Sequence, residues 1–222
     1  MSEDPSWVEP EAPSWVEPKA LAPVKPFTNY IIEIFATIDS YKPYFNIPWT
    51  VKRDDYTNTI CWFIITPELI YRLVSIIKYE KCLEICCGFG VLSYILKQQG
   101  CDIIKTNMYS SKYDFRPLFR YCLEDIINIE AVAAVKRYNP EINILIICWP
   151  CYDDPFAYEA VKEFKGNKVI YIGEGKKGCC ANDDFFDYLE KHFIEAYDYE
   201  IVKKWKSIYD YLAIYTRRPV PK

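Results

Sequence analysis

Residues 81–93, reading Lys-Cys-Leu-Glu-Ile-Cys-Cys-Gly-Phe-Gly-Val-Leu-Ser, constrain this chain more than any other stretch. A short apolar run ends in a glycine turn, and a helical pattern begins at once. That order aims backbone N–H groups of a helix N-terminus at a ligand, and Gly88 and Gly90 let the backbone approach it. Such a turn serves a phosphate, a carboxylate or a nucleoside. Glu84 lies within the segment and disfavours a phosphate by charge. It suits a cofactor that carries positive charge and an amino acid end.

The rest of the chain supplies a matching alternation. Thr66-Pro67-Glu68 predicts a helix start: a capping threonine, proline at the first position, then an acid. Leu69, Leu73, Ile76 and Ile77 continue it as one apolar stripe. Strands are predicted over 82–86, 102–107, 142–148 and 168–172, and helices over 91–99, 129–138, 155–164 and 183–192. The run 142–148 is the most apolar of the chain and reads as a central parallel strand. Two strands over 197–205 and 209–216 close the pattern with only Lys206-Ser207-Ile208 between them. That spacing forbids a crossover, so they pair antiparallel. The expectation is an α/β, doubly wound (Rossmann-like), mostly parallel seven-stranded sheet with a C-terminal antiparallel hairpin and a reversed edge strand. Ahead of these elements, within the same domain, 30–35 is apolar and reads as a strand or short helix, and 45–53 as irregular.

At these residues the chain resembles the class I S-adenosylmethionine-dependent methyltransferases, over roughly 66–217. That family's first motif is an acid followed by three glycines at alternate positions. Glu84, Gly88 and Gly90 match it, and Cys86 stands at the first glycine. The resemblance implies that Cys86, Cys87, Gly88, Phe89 and Gly90 cradle the amino acid end of S-adenosylmethionine. Glu84 would order the turn and favour the cationic ammonium or sulfonium. It puts Asn107 at the end of the second strand, where the family carries an acid for the ribose hydroxyls; asparagine can donate and accept there without the charge. The loop before the 129–138 helix runs past the adenine in the family, which makes Asp125 and Asn128 candidates. Glu130 reads as a first-turn acid of that helix.

The family's third landmark, in members acting on amino groups, is a polar residue, two prolines and an aromatic. Here Trp149-Pro150-Cys151-Tyr152 stands there: Pro150 and Tyr152 match, while Trp149 and Cys151 depart. The resemblance implies an acceptor wall of Trp149, Pro150 and Tyr152. Trp149 cannot accept a hydrogen bond from an amine, which argues against an adenine N6 or glutamine amide acceptor. Asp153 and Asp154 supply a base or an acceptor, or else cap the next helix ahead of Pro155. The function expected is a methyltransferase of unknown acceptor. The alternative is a catalytically inactive methyltransferase-fold scaffold, which the departures at Cys86, Asn107 and Trp149 favour. A dinucleotide site would need a glycine where Val91 stands and an acid near Asn107.

Composition narrows the class. A net charge of −4 gives no strong nucleic-acid signal, and no apolar run reaches membrane-spanning length. Ten cysteines without a secretion signal read as reduced thiols of a cytoplasmic protein. Richness in tyrosine, lysine and isoleucine suits a viral source, and hence host cytoplasm. Cys86-Cys87, Cys148-x-x-Cys151 and Cys179-Cys180 each follow a core strand, as small hydrophobes or as a redox or metal-sensitive group. Glu174 lies in a glycine-rich loop, read equally as functional or flexible. His192 reads as a helix-end residue, and Lys203, Lys204 and Lys206 as a solvated edge.

Two parts are expected: 1–26, a disordered Pro/Trp-rich tail, and 27–222, the methyltransferase-like domain. Six of the chain's 15 prolines lie in the tail, and Pro5-Ser6-Trp7-Val8-Glu9-Pro10 recurs eight residues later as Pro13-Ser14-Trp15-Val16-Glu17-Pro18. The repeat is either a solvated tail or a bivalent motif whose tryptophans anchor in a protein partner. The tail carries five acids and two lysines, leaving 27–222 at a net charge of only −1.

Overall fold

The computed structural model describes residues 53–58, 60–108 and 124–219. The tail 1–26, the apolar stretch 30–35 and nearly all of 45–53 lie outside the described residues; Arg53 opens the first described helix. The elements are α1 (Arg53–Thr57), α2 (Pro67–Ile77), β1 (Cys82–Ile85), α3 (Val91–Gln98), β2 (Ile103–Asn107), β3 (Ile127–Asn128), α4 (Ala131–Tyr138), β4 (Ile144–Cys148), α5 (Phe156–Glu163), β5 (Lys168–Gly173), α6 (Asp183–His192), β6 (Phe193–Asp198) and β7 (Tyr211–Arg217).

Local chemistry sets most boundaries. Thr66 caps α2, its hydroxyl accepting from the Leu69 N–H at 3.2 Å. α3 ends in a Schellman turn: Gly100 takes a φ of 87°, its N–H bonds the Lys97 carbonyl, and the Cys101 N–H bonds the Leu96 carbonyl. Glu130 is the cap of α4, accepting from Val132 and Ala133 N–H at 2.8 and 3.0 Å. Asp154 accepts from the Phe156 N–H at 3.0 Å at the head of α5, the capping role among those foreseen for it. Asn182 does the same for α6.

The seven described strands form one sheet in the order β3-β2-β1-β4-β5-β7-β6. β1 to β5 pair in parallel; β7 is antiparallel to both β5 and β6. β4 is central, as its apolar run predicts. Alternate residues feed two cores, one on each face. Ile144 and Ile146 join α2 and α3 on one face, while Leu145 and Ile147 join α4, α5 and α6 on the other. This is the doubly wound arrangement the sequence implies.

The C-terminal hairpin differs in detail from its sequence reading. β6 starts at Phe193, directly after α6, and the connection 199–210 is long and irregular instead of three residues. Val202 and Trp205, read as strand residues, are buried in the core on the α2–α3 face, and that packing overrides their strand preference. β6 shows outward side chains along most of its length, so it carries no alternation to read. The reversed strand β7 is interior, and β6 takes the edge. The two-residue β3 is too short to show a strand pattern in the sequence. No helix among the described residues is long and apolar enough to cross a membrane.

The two ends of this burial range give a stability test. Ile146→Ala on central β4 should cost about 2–5 kcal/mol. Ile194→Thr on the edge strand, where Ile194 is 52% exposed, should stay within about 0.5 kcal/mol. Urea unfolding of both variants, read as a shift in midpoint at constant slope, checks the pair.

Candidate functional site

The glycine turn stands at the carboxyl end of β1, beside the end of β2. Cys86 takes a φ of 52°, and Gly88 and Gly90 take 55° and 69°. Cys86 thus adopts the left-handed conformation ordinarily left to glycine, at a cost of about 1–2 kcal/mol. Neighbouring strands hold it there. The Cys87 N–H bonds the Thr106 carbonyl at 3.0 Å, and the Gly88 N–H bonds Asn107 Oδ1 at 3.3 Å. Gly90 caps α3, and its N–H bonds the Cys87 carbonyl at 2.8 Å. Gly88 is exposed, and a Cβ built on it would meet nothing within 4 Å. Phe89 is half-buried against the α2–α3 core.

Beneath the turn, Glu84 is buried and lies opposite Lys105 in the β1–β2 ladder. Its carboxylate accepts from the Ser93 hydroxyl of α3. Burial pushes its pKa up to about 7, while Ser93 and the Lys105 charge pull the other way. The acid therefore joins strand to helix under the turn. Asn107 pairs with Asn128 across β2 and β3, which brings these two predicted residues side by side. Asp125 stands off, its carboxylate 3.7 Å from Lys97 and largely exposed.

The 149–154 loop divides its predicted residues. Trp149, at a φ of 47°, turns inward and stacks on Trp62, with centroids 5.5 Å apart and planes at 22°. Its backbone N–H bonds the Ile172 carbonyl, the Pro150 carbonyl accepts from the Ala181 N–H, and the Asp153 N–H bonds the Ala181 carbonyl. Tyr152, 69% exposed, and Asp153 stand on the solvent side. Glu174 is neither loose nor solvated: its two oxygens accept from the Tyr209 and Cys179 N–H groups, each at 2.9 Å. His192 sits in the last turn of α6 with its ring 4.3 Å from that of Tyr188.

Three residues at this end had no assigned role in the sequence reading: Asp210, Arg53 and Trp62. Asp210 directly precedes β7 and is fully buried. Burial pushes its pKa up to about 7; the Trp149 indole lowers it, Glu174 raises it, and Arg53 and Lys204 lower it. No hydrogen bond of ordinary geometry joins Asp210 to the Trp149 Nε1, so the indole acts as a nearby dipole. The signal available in the sequence was an acid between two tyrosines, Tyr209-Asp210-Tyr211, inside a predicted strand. The nine described cysteines are free. Burial pushes Cys86 and Cys180 up to about 12 and Cys87 and Cys148 well above the ordinary thiol value, which makes them small hydrophobes rather than nucleophiles. No group of three or more metal-ligating side chains occurs among the described residues.

Because Glu84 and Asp210 keep their protons in the fold up to about pH 7 but ionise near 4.5 and 3.8 ordinarily, the native state binds more protons between those limits. Stability contributed by each carboxyl is full at acid pH, declines as pH rises through this window and levels off above it. The expected loss is on the order of 3–4 kcal/mol per group. Thermal melts across that range, with Glu84→Gln and Asp210→Asn each removing its own share of the slope, test this; parallel pH profiles of variants and wild type would refute it.

No family model matches the chain, and no curated protein matches it in sequence. Solved structures similar to it include the methyltransferase domain of bacterial CtHen1, at 14% identity and a TM-score of 0.46, covering 67% of this chain and 97% of that one. TehB from Haemophilus influenzae is similar at 14% identity and a TM-score of 0.48, covering 75% and 68%. Sp1610 from Streptococcus pneumoniae, solved in complex with S-adenosyl-L-methionine, is similar at 12% identity and a TM-score of 0.46, covering 72% and 76%. These are likenesses of fold; what the turn can hold is read from its own groups.

Proposed function

We propose that this chain binds S-adenosylmethionine at the glycine turn and transfers its methyl group to an acceptor at the carboxyl end of β4. The observation that carries this reading is Gly88. It is left-handed, exposed, and has open space where a side chain would stand, beside the N-terminus of α3. The helix end favours the carboxylate of an amino acid, and the turn that Asn107 and Cys87 hold through the Gly88 and Gly90 N–H groups leaves room for its approach. Asn107 offers a donor and an acceptor to a ribose hydroxyl, and Asn128 beside it borders the adenine. Cys86, Cys87 and Phe89 contribute backbone shape, and Glu84 acts from below by holding α3 to β1.

When bound, the cofactor supplies an electrophilic methyl group. The chain's part is to align an acceptor with that group and to exclude water, which is the larger share of catalysis in a direct displacement. Trp149 and Pro150 line the approach. Tyr152 and Asp153 would have to turn inward to join them, and their present outward position favours the second reading, a scaffold that keeps the fold without the reaction.

Calorimetric titration of S-adenosylmethionine and S-adenosylhomocysteine into wild type and Gly88→Arg separates the two. The expected result is binding to wild type and a loss of about a hundredfold or more in the variant, whose side chain fills the open space. A melting temperature for Gly88→Arg near that of wild type keeps the comparison one of binding. No binding to wild type would overturn the proposal and leave the scaffold.

A further inference from the structure

The carboxyl end of the sheet holds buried polar atoms to which the cofactor reading gives no role. Among the described residues, neither carboxylate oxygen of fully buried Asp210 has a hydrogen-bond partner of ordinary geometry. Nor, among the described residues, do the buried Trp149 Nε1 and Arg53 Nε. The groups belong together: the Arg53 Cζ lies 5.2 Å from the ring centroids of both Trp62 and Trp149, and Arg53 and Trp149 both act on the Asp210 carboxyl. Folded proteins seldom leave buried polar groups unpaired, and several in one place mark the seat of a missing partner.

The chemistry of the seat narrows that partner. A cation brought against Asp210 favours its ionised form, and a carboxylate with two open oxygens is then satisfied by two parallel N–H donors on a planar group. Indole faces attract a cation. Glu174 adds negative charge close by, yet both its oxygens are engaged, so it contributes field and no further hydrogen bond. Arg53 itself demonstrates that a guanidinium rests against these indoles. It does so without hydrogen-bonding Asp210, so the acid is left for another group.

We propose that this end of the site binds the guanidinium group of an arginine side chain, seated on Asp210 and against Trp149, and that Arg53 must leave the indoles to admit it. Only the step after binding rests on the methyltransferase reading. In that step the sulfur–methyl bond breaks with its electron pair left on sulfur. A nitrogen–methyl bond forms on the guanidinium, and one proton passes from that nitrogen to the Asp210 carboxylate. A guanine edge presents a similar pair of N–H donors. The observations favour the cation, because the paired acids ask for positive charge and residues 27–222, with a net charge of only −1, give no footprint for a phosphate backbone.

The test titrates N-ethylguanidinium, n-butylammonium and guanosine into the full chain and its Arg53→Ala, Arg53→Lys and Arg53→Ala/Asp210→Asn variants. Arg53→Ala should bind N-ethylguanidinium about tenfold or more tightly than wild type, because the competing side chain is gone. Adding Asp210→Asn, which keeps the volume, should remove at least that gain. Arg53→Lys should lie between wild type and Arg53→Ala, and n-butylammonium should bind about tenfold more weakly than the planar cation. Equal binding by wild type, Arg53→Ala and the double variant would overturn the proposal, as would preference for guanosine. S-adenosylmethionine titrated into the same samples keeps the two readings apart. Guanidinium binding without cofactor binding removes the methyltransferase and leaves this seat; cofactor binding without guanidinium binding does the reverse.

Discussion

The Glu84 carboxyl, buried between a strand and a helix, determines where the glycine turn points. Glu84 belongs to β1, its hydrogen-bond donor Ser93 to α3, and its countercharge Lys105 to β2. Three elements therefore meet at one group that would be costly to bury alone. Once they are joined, the N-terminus of α3 has a fixed direction relative to the sheet. Only then can Cys87 and Gly88 reach Thr106 and Asn107 and hold the turn open. The strained Cys86 is tolerated because both sides of it are already anchored.

The other end of the site rests on a similar economy of bonds. Trp149, Asp153 and Ala181 all have positive φ values. Backbone bonds from Trp149 to Ile172, from Asp153 to Ala181 and from Ala181 to Pro150 hold them. The strain turns one indole inward toward Asp210 and leaves Tyr152 outward. Glu174 then ties the loop after β5 to the approach of β7, which fixes the buried acid in place.

How much of this could be read in advance follows from the range of each interaction. The cap of α2, the glycine stop of α3 and the turn after β1 are decided within a few residues, and the sequence displays them. The centrality of β4 follows from an unbroken apolar run. The bounds of β6 do not, because an edge strand with outward side chains has no periodic pattern, and because Val202 and Trp205 spend their apolar character on a distant core. Asp210 and Arg53 meet from opposite ends of the described chain. Their meaning exists only in three dimensions, and each alone looks like an ordinary surface charge. Asn107 was foreseen as a ligand group, whereas its bond to Gly88 depends on a parallel register that no local pattern encodes.

The place of β7 between β5 and β6 also governs the order of assembly. β6 leaves the ribosome before β7, yet among the described strands its only neighbour in the sheet is β7. It must wait unpaired, and the growing chain presents β5 as a bare edge during that interval. The same late strand carries Asp210 into position at its head. The turn that faces the cofactor can thus form early, from β1, α3 and β2, while the acid at the other end arrives only with the final strand. A nascent chain would be competent to hold one ligand before it could recognise the other.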